Sequence, residues 1–343
     1  MAATKTLQQL LDEARRQIEV SDEELDEARR RRGLLEAALR DEFPGCRVYL
    51  NGSVAHGDAL TPLTDVDIGG IAFGDVDVYG PGREGPRDPM ERARDAIKRH
   101  LGDEFPKLRV VIEGQRRAVL VSFGDPVTPG TPDFTADVII GVDNEQGVGI
   151  FIPNLLEDDW DPSAPEEHTA LIRGANDRTA RVYARTIRLL KFWNCRHGEP
   201  VCSWLLKVLG LPSVTTAMPL AEALRAFFAY ATTALRTGPI EDPLGVSGPI
   251  APNLPLAEVL ARFDEGLRLI TEAIEAEAAG RPVRAQHVLA RLFPGIVPVP
   301  SADDLREEEA ARIAADARRG ISTGVGTGAN LAIPSARAWG TSW

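Results

Sequence analysis

Residues 47–73 contain two strand patterns, RVYLNGS (47–53) and DVDIGGIAF (65–73), and the second begins with carboxylates at Asp65 and Asp67. Side chains two apart in a strand point to the same face, so both carboxylates project together from one part of a sheet. Two such charges are costly to desolvate unpaired, and they repel each other unless a cation lies between them. The chain is therefore predicted to build a sheet that carries a cation site.

A third carboxylate, Asp137, interrupts the apolar strand pattern FTADVIIGV (134–142). Three carboxylates that converge from neighbouring strands form a hard oxygen site suited to Mg²⁺, with Mn²⁺ as an alternative. Such a site can hold two ions that flank a reacting phosphate, one activating the attacking hydroxyl and one stabilising the leaving pyrophosphate. Asp65, Asp67 and Asp137 are thus predicted to be metal ligands and catalytic residues.

Gly52 and Ser53 stand at the end of the first strand pattern. Glycine lets the backbone approach a phosphate closely, while the serine hydroxyl and a following helix N-terminus can donate hydrogen bonds to it. Taken singly, a Gly-Ser pair is an ordinary turn, the alternating aspartates fit a bulge or an exposed edge, and Asp137 fits a structural ion pair. Their combination in this order predicts a site for a nucleoside triphosphate.

The rest of the chain separates into a mixed front half and a helical back half. A helix is predicted over 5–42, broken near Val20 and restarted by a capping box at SDEE (21–24). Further strands are predicted at 109–113, 116–123, 134–142 and 149–152, and helices at 88–101, 167–197, 203–209, 219–236, 254–279 and 283–292. The predicted fold class is α/β, with a mixed-sheet core over 1–162, a helical domain over 163–320 that closes the cleft, and a Gly/Ser/Thr-rich tail over 321–343.

Composition limits the partners. The 343 residues are 43% hydrophobic and carry a net charge of −12, so broad, sequence-independent nucleic-acid binding is disfavoured. No apolar stretch approaches the length of a membrane span, and the N-terminus lacks an apolar signal core, which predicts a soluble cytoplasmic protein with no membrane partner. Cys46, Cys195 and Cys202 form no CxxC pair, so they are expected to be ordinary buried thiols.

The Gly-Ser pair, the DxD strand and the distal aspartate resemble the polymerase-beta-like nucleotidyltransferase superfamily. The segment ARTIRLLKFWNCRHGEPVCSWLLKVLGL (184–211) is similar to a helix pair of oligoadenylate synthetases and of bacterial cyclic-oligonucleotide synthases, the CD-NTases. The segments at 150–168 and 240–254 resemble elements before and after that pair in the same group. The resemblance covers about residues 40–290 and implies a nucleotidyltransferase core followed by a helical domain.

By this resemblance, Gly52 and Ser53 hold the triphosphate, and Asp65, Asp67 and Asp137 hold the metals. Asp137 is the residue most expected to help activate the attacking hydroxyl. The other residues that the resemblance assigns are Lys191 and Ser203, at positions that contact the phosphates of the donor, and Trp204, at the place of an aromatic that stacks on the base. A lysine on a helix facing the cleft would neutralise phosphate charge, whereas a tryptophan in an apolar helix is as readily a core residue.

The chain departs from the family pattern at two positions. Gly57-Asp58 stands where the family often has Gly-Thr, and Lys207 stands where an acidic residue often closes the element that begins at Ser203. Both departures bear on the phosphate-binding lip and on the choice of acceptor. His56 lies in the same loop as Asp58, where a histidine is expected to be solvated.

The implied reaction is attack of a ribose hydroxyl on the α-phosphorus of ATP, GTP or UTP, with release of pyrophosphate. The product expected from the resemblance is a cyclic di- or trinucleotide second messenger used in antiviral (antiphage, CBASS) signalling, with a regulatory protein as a further partner. Transfer of a nucleotide to a tRNA 3′ end or to a small hydroxylated molecule is the alternative. A nucleotide-sensing scaffold without catalysis would require a lost metal triad, which the three aspartates argue against.

Overall fold

The computed structural model describes residues 5–73, 76–145 and 147–318, and the tail predicted over 321–343 lies outside them. The chain divides into a large compact unit that ends at Val299 and a second unit that begins at Pro300. The described part of the second unit is a single helix, α12 (Ala302–Arg318), which has no buried residue. This helix was not among the individual helices predicted from the sequence.

A mixed sheet forms the front half of the large unit. Its strands are β1 (Arg47–Leu50), β2 (Asp65–Phe73), β3 (Arg109–Val111), β4 (Val119–Ser122), β5 (Thr135–Asp143), β6 (Ile150–Asn154) and β7 (Asp159–Ser163). The order is β1-β2-β5-β4-β3, with β6 paired to β5 and to β7. The β2–β5 pair is parallel and the other pairs are antiparallel.

Helices cover one side of this sheet and build the back half. They are α1 (Leu7–Gln17), α2 (Asp22–Glu42), α3 (Gly52–His56), α4 (Val76–Tyr79), α5 (Arg87–Leu101), α6 (Pro165–Arg178), α7 (Val182–Arg196), α8 (Ser203–Ser213), α9 (Leu220–Thr237), α10 (Leu256–Ala278) and α11 (Pro282–Leu292). The predicted α/β class, a mixed sheet followed by helices, is confirmed. None of the helices described has the length and apolar character that crossing a membrane requires.

Two hydrophobic clusters hold the large unit together. One fills the space between the sheet and helices α2 and α5. The other joins α6–α11, and it also includes the apolar face of α1. Ser21 caps α2 through a complete capping box with Glu24, as its sequence predicted. The break between α1 and α2 thus lets the first helix join the helical cluster while the second packs on the sheet.

Several boundaries differ from the predicted ones. The strand predicted over 47–53 ends at Leu50, and the Gly-Ser segment is the start of α3. The helix predicted over 167–197 is two helices, because Ala180 and Arg181 adopt positive φ angles of 49° and 66° between them. Strand β7 and helix α4 were not predicted.

The three cysteines are free thiols. Cys46 and Cys202 are partly buried, whereas Cys195 is exposed, so the prediction of a buried thiol was wrong for Cys195.

Candidate active site

The three predicted metal ligands lie on one face of two neighbouring parallel strands. Asp67 of β2 is the register partner of Asp137 of β5, and Asp65 pairs with Thr135. Partners on adjacent strands lie about 4.8 Å apart, and residues two apart share a face. Asp65, Asp67 and Asp137 therefore stand together, as the alternating pattern predicted.

The opposite face explains why these strands form. Val66, Ile68, Ala136 and Val138 alternate with the aspartates and are buried against the helices. Asp65 and Asp137 are exposed, and Asp67 is half-buried. Burial of the apolar face stabilises the strands, so the carboxylates can be presented on the open face without disrupting the core.

Gly52 brings the start of α3 against Asp67. Its φ is +78°, and a Cβ at this position would overlap Oδ2 of Asp67 and lie 2.5 Å from the Cβ and Cγ of that residue. The site thus requires glycine for two reasons, the left-handed conformation and the close approach of backbone to carboxylate. Ser53 follows at the second position of α3, so the Gly-Ser pair and the acidic face form one continuous site.

The electrostatics of the acidic face fit a cation. Burial, together with the charges of Asp65 and Asp137, raises the pKa of Asp67. The surrounding sheet removes part of the water from the otherwise exposed Asp137 carboxylate, and this partial desolvation, together with the charge of Asp65, raises its pKa. A bound cation would offset both effects, because it favours the ionised carboxylates. Within residues 5–73, 76–145 and 147–318, however, no set of three His, Cys, Asp or Glu side chains already converges closely enough to hold a metal ion. The donor set fits a divalent ion in its chemistry, but the carboxylates are not drawn together.

Lys191, on α7, points to the loop that follows the Gly-Ser helix. Its Nζ donates to the backbone oxygen of Asp58 at 3.2 Å and to Oδ1 of Asp58 at 3.3 Å. Lys207, on α8, places its Nζ 3.2 Å from Oδ2 of the same carboxylate. Lys207 and Lys191 both act to lower the pKa of Asp67, so their charges are within electrostatic reach of the acidic face. The structure therefore brings Lys191 to the site, although its contact with phosphate remains a prediction.

His56 is the last residue of α3 and is 3% exposed, so the prediction of a solvated loop histidine was wrong. Its Nδ1 lies 2.8 Å from Nζ of Lys207 and its Nε2 lies 3.0 Å from Oγ1 of Thr169. Burial and the neighbouring Lys207 charge lower the pKa of His56 to about 3. The imidazole is neutral at physiological pH and serves as a hydrogen-bonding link inside the protein.

Ser203 and Trp204 begin α8, the helix that also carries Lys207. Ser203 is exposed as the first residue of the helix, and Trp204 is half-buried. The Trp204 ring lies 4.7 Å from the ring of His168, which in turn contacts the buried Asp242 through Nε2 at 2.6 Å. Trp204 thus keeps part of its ring accessible, and its stacking on a base stays a prediction, as does the contact of Ser203 with phosphate.

Sequence reasoning missed Asp58, Lys207 and Thr169 as members of the site. Asp58 and Lys207 had been noted only as departures from the family pattern. The available signal was their opposite charge. Two departures from a family pattern that carry opposite charges can neutralise each other when the residues are neighbours in space. Thr169 gave no signal, because nothing in a lone helical threonine indicates a buried hydrogen bond.

The sheet order, the Gly-Ser helix and the acidic strands belong to a fold that solved structures of bacterial CD-NTases share. CdnC of Escherichia coli MS115-1, solved with ATP, is 17% identical, with a TM-score of 0.63 over 86% of this chain and 99% of that one. DncV of Vibrio cholerae, a cyclic AMP-GMP synthase solved with a linear intermediate, is 11% identical, with a TM-score of 0.61 over 82% and 92%.

CdnG of Bradyrhizobium diazoefficiens, a CD-NTase solved with GTP, is 15% identical, with a TM-score of 0.60 over 90% of this chain and 98% of that one. No protein-family model and no curated protein matches the sequence. At these identities the likeness establishes the fold, which agrees with the fold that the resemblance implied.

Proposed function

We propose that this protein is a divalent-metal-dependent nucleotidyltransferase that joins nucleoside triphosphates into a cyclic di- or trinucleotide, with release of pyrophosphate. The observation that carries the proposal is the placement of Asp67 beside Asp137 on parallel strands, with Asp65 on the same face and the Gly52 backbone against Asp67. Three carboxylates next to a glycine-containing backbone turn form a site for a metal-bound polyphosphate.

Each residue has a role in this reaction. Asp65, Asp67 and Asp137 would hold Mg²⁺ or Mn²⁺, which would supply charge neutralisation for the phosphates and a lowered pKa for the attacking hydroxyl. Asp137, the more exposed of the β2–β5 register pair, would orient that hydroxyl. Gly52, Ser53, Lys191 and Ser203 would bind the triphosphate, and Trp204 would stack on the base.

The fold neighbours support the proposed substrates and regulatory partner. CdnC was solved with ATP, CdnG with GTP, and DncV with a linear dinucleotide intermediate. We infer small nucleotides, ATP, GTP or UTP, as both donor and acceptor for this chain. CdnC was also solved in complex with a HORMA protein, so a regulatory protein partner is proposed here too. We propose that the enzyme acts in the cytoplasm and makes a messenger for antiviral signalling.

A reaction with labelled nucleotides tests this function. Purified protein is incubated with α-labelled ATP, GTP and UTP and Mg²⁺, with and without tRNA, and products are separated after phosphatase treatment. Pyrophosphate and a phosphatase-resistant labelled product are expected without tRNA. Product found only on the 3′ end of tRNA would instead favour the tRNA-directed alternative.

The matched control is the double variant Asp65→Asn/Asp67→Asn. It keeps the side-chain shapes but removes two anionic ligands, so turnover should be abolished while circular dichroism and the melting temperature show a folded protein. Retained turnover in this variant would show that the acidic face is not the catalytic site.

A further inference from the structure

The loop after the Gly-Ser helix contains a carboxylate that is shared by two lysines. Asp58 is completely buried, and its oxygens lie 3.3 Å from Nζ of Lys191 and 3.2 Å from Nζ of Lys207. His56, the third ionisable neighbour, is neutral. Asp58, Lys191 and Lys207 together therefore carry one net positive charge, which lies within electrostatic reach of Asp67.

The two lysines are held differently. Lys207 has a side chain that is 6% exposed, and it contacts both Asp58 and Nδ1 of His56, the latter at 2.8 Å. Lys191 has a side chain that is 12% exposed, and among the described residues its hydrogen bonds go to Asp58 alone. Lys207 is fixed at two points, whereas Lys191 can move its ammonium by giving up a single partner.

We propose that Lys207 is a positioning residue, which lets the Lys191 ammonium leave Asp58 and bind the triphosphate. Lys207 keeps the Asp58 carboxylate neutralised, so the Lys191 ammonium can pass from Asp58 to a phosphate without leaving a buried charge unpaired. Without Lys207, Asp58 would retain Lys191, because an isolated buried carboxylate is strongly unfavourable. This inference rests on the proposed function, since it concerns how the same site binds its donor nucleotide.

Lys207 is also linked through hydrogen bonds to the residues that precede Gly52 in the sequence. Its ammonium donates to Nδ1 of His56, so Nε2 carries the hydrogen and donates to Oγ1 of Thr169. The Thr169 hydroxyl lies 3.4 Å from the backbone oxygen of Leu50 and 3.4 Å from Oδ1 of Asn51. One lysine thus reaches both the phosphate-binding lysine and the end of the strand that presents the Gly-Ser pair.

The charge count makes the inference testable. The site carries one net positive charge in the native protein, none in Lys207→Met, and one again in Lys207→Met/Asp58→Asn, where Lys191 has no carboxylate to retain it. The contact with His56 is lost equally in both Lys207→Met proteins. A difference between them therefore reports the positive charge that Lys191 can offer the triphosphate, and not the position of the loop.

Isothermal titration with non-hydrolysable analogues of ATP, GTP and UTP in the presence of Mg²⁺ provides the readout, and melting temperatures are measured in parallel. Lys207→Met should bind the triphosphate about tenfold to a hundredfold more weakly, the loss of one charged hydrogen bond. The double variant should return to within about threefold of native affinity. Asp58→Asn alone should bind no more weakly than the native protein.

Three results would overturn the inference. They are native affinity in Lys207→Met, a double variant as weak as Lys207→Met, and a tenfold loss of affinity in Asp58→Asn. If Lys207→Met does not fold, the double variant and Asp58→Asn still test the inference, because a tenfold loss of affinity relative to the native protein in either of them contradicts it. A native protein that binds none of the three analogues would overturn the proposed function itself, whereas failure of the variants alone leaves that function intact.

Discussion

The carboxylates of this protein fall into two regions that differ in how their charge is compensated. Asp65, Asp67 and Asp137 stand on an open sheet face, and the described residues give them neither a salt bridge nor a side-chain hydrogen bond. Asp58 is fully buried, yet it lies between two lysines. Burial alone would raise the pKa of Asp58. The charges of Lys207 and Lys191 outweigh this effect and lower the pKa below its usual range, so the carboxylate is ionised.

The difference separates charges that serve the fold from charges that await a ligand. A buried charge without a partner would cost several kcal/mol, so the protein supplies the partners of Asp58 itself. Charges on the open face can be left uncompensated, because water and an incoming cation can neutralise them. Carboxylates that are held in a defined geometry but have no protein partner thus indicate a binding site for a ligand. Carboxylates that are fully paired within the protein organise that site.

The largest effect should come from breaking the contact between the Gly-Ser helix and the open acidic face. Gly52→Ala adds a Cβ that overlaps the Asp67 carboxylate, in a conformation with φ of +78°. Because small displacements of reacting groups cost about a hundredfold in rate, pyrophosphate release per folded molecule should fall by at least about a hundredfold.

Gly45→Ala is the control for this experiment. Gly45 has a φ of +83°, but a Cβ there would meet no atom within 4 Å. It carries a similar conformational cost of about 1 kcal/mol without the overlap, so it should lower the melting temperature and leave the rate unchanged. Equal activity losses in the two variants would mean that backbone strain, and not contact with Asp67, explains the need for glycine.

The open face could be predicted from the sequence, whereas the buried cluster could not. The alternation of Asp65 and Asp67 with apolar residues fixes their shared face through local strand geometry alone. The capping box at Ser21 is local in the same way, and it was predicted to the residue. The class of fold followed from the order of such local patterns.

The buried cluster depends on residues far apart in the chain. His56 contacts Lys207 across 151 positions and Thr169 across 113. Local pattern made His56 a solvated loop residue, whereas the helices α6 and α8 enclose it. Similarly, the strand predicted over 47–53 stops at Leu50 because the positive φ of Gly52 turns the chain into α3, which composition alone does not indicate.

A smaller effect is expected at the residue that joins the two regions. Lys191→Met removes the ammonium that would move from Asp58 to the triphosphate, so nucleotide affinity should fall about tenfold to a hundredfold by calorimetry. Stability should change little, because Lys207 still neutralises Asp58. Lys98→Met, at an exposed position on α5, is the control and should bind normally. Unchanged affinity in Lys191→Met would return this lysine to a purely structural role, and a large loss of stability would show that it holds the helices together.

The smallest effect concerns the neutral histidine within the buried cluster. Burial and the Lys207 charge, opposed in part by Asp58, lower the pKa of His56 from 6.5 to about 3. The unfolded chain therefore binds a proton below pH 6.5 that the folded protein rejects. The stability due to a neutral His56 is complete above pH 6.5 and is lost as the pH falls from 6.5 toward 3, by at most about 1.4 kcal/mol per pH unit.

The test compares the free energy of unfolding at pH 7.5 and 5.5 by urea denaturation. The native protein should lose about 1 kcal/mol more than His56→Asn over this interval, because asparagine can accept from Lys207 but does not titrate. If His56→Asn shows the same dependence as the native protein, the fold binds a proton on His56 as readily as the unfolded chain does, and burial of the neutral imidazole contributes no pH-dependent stability.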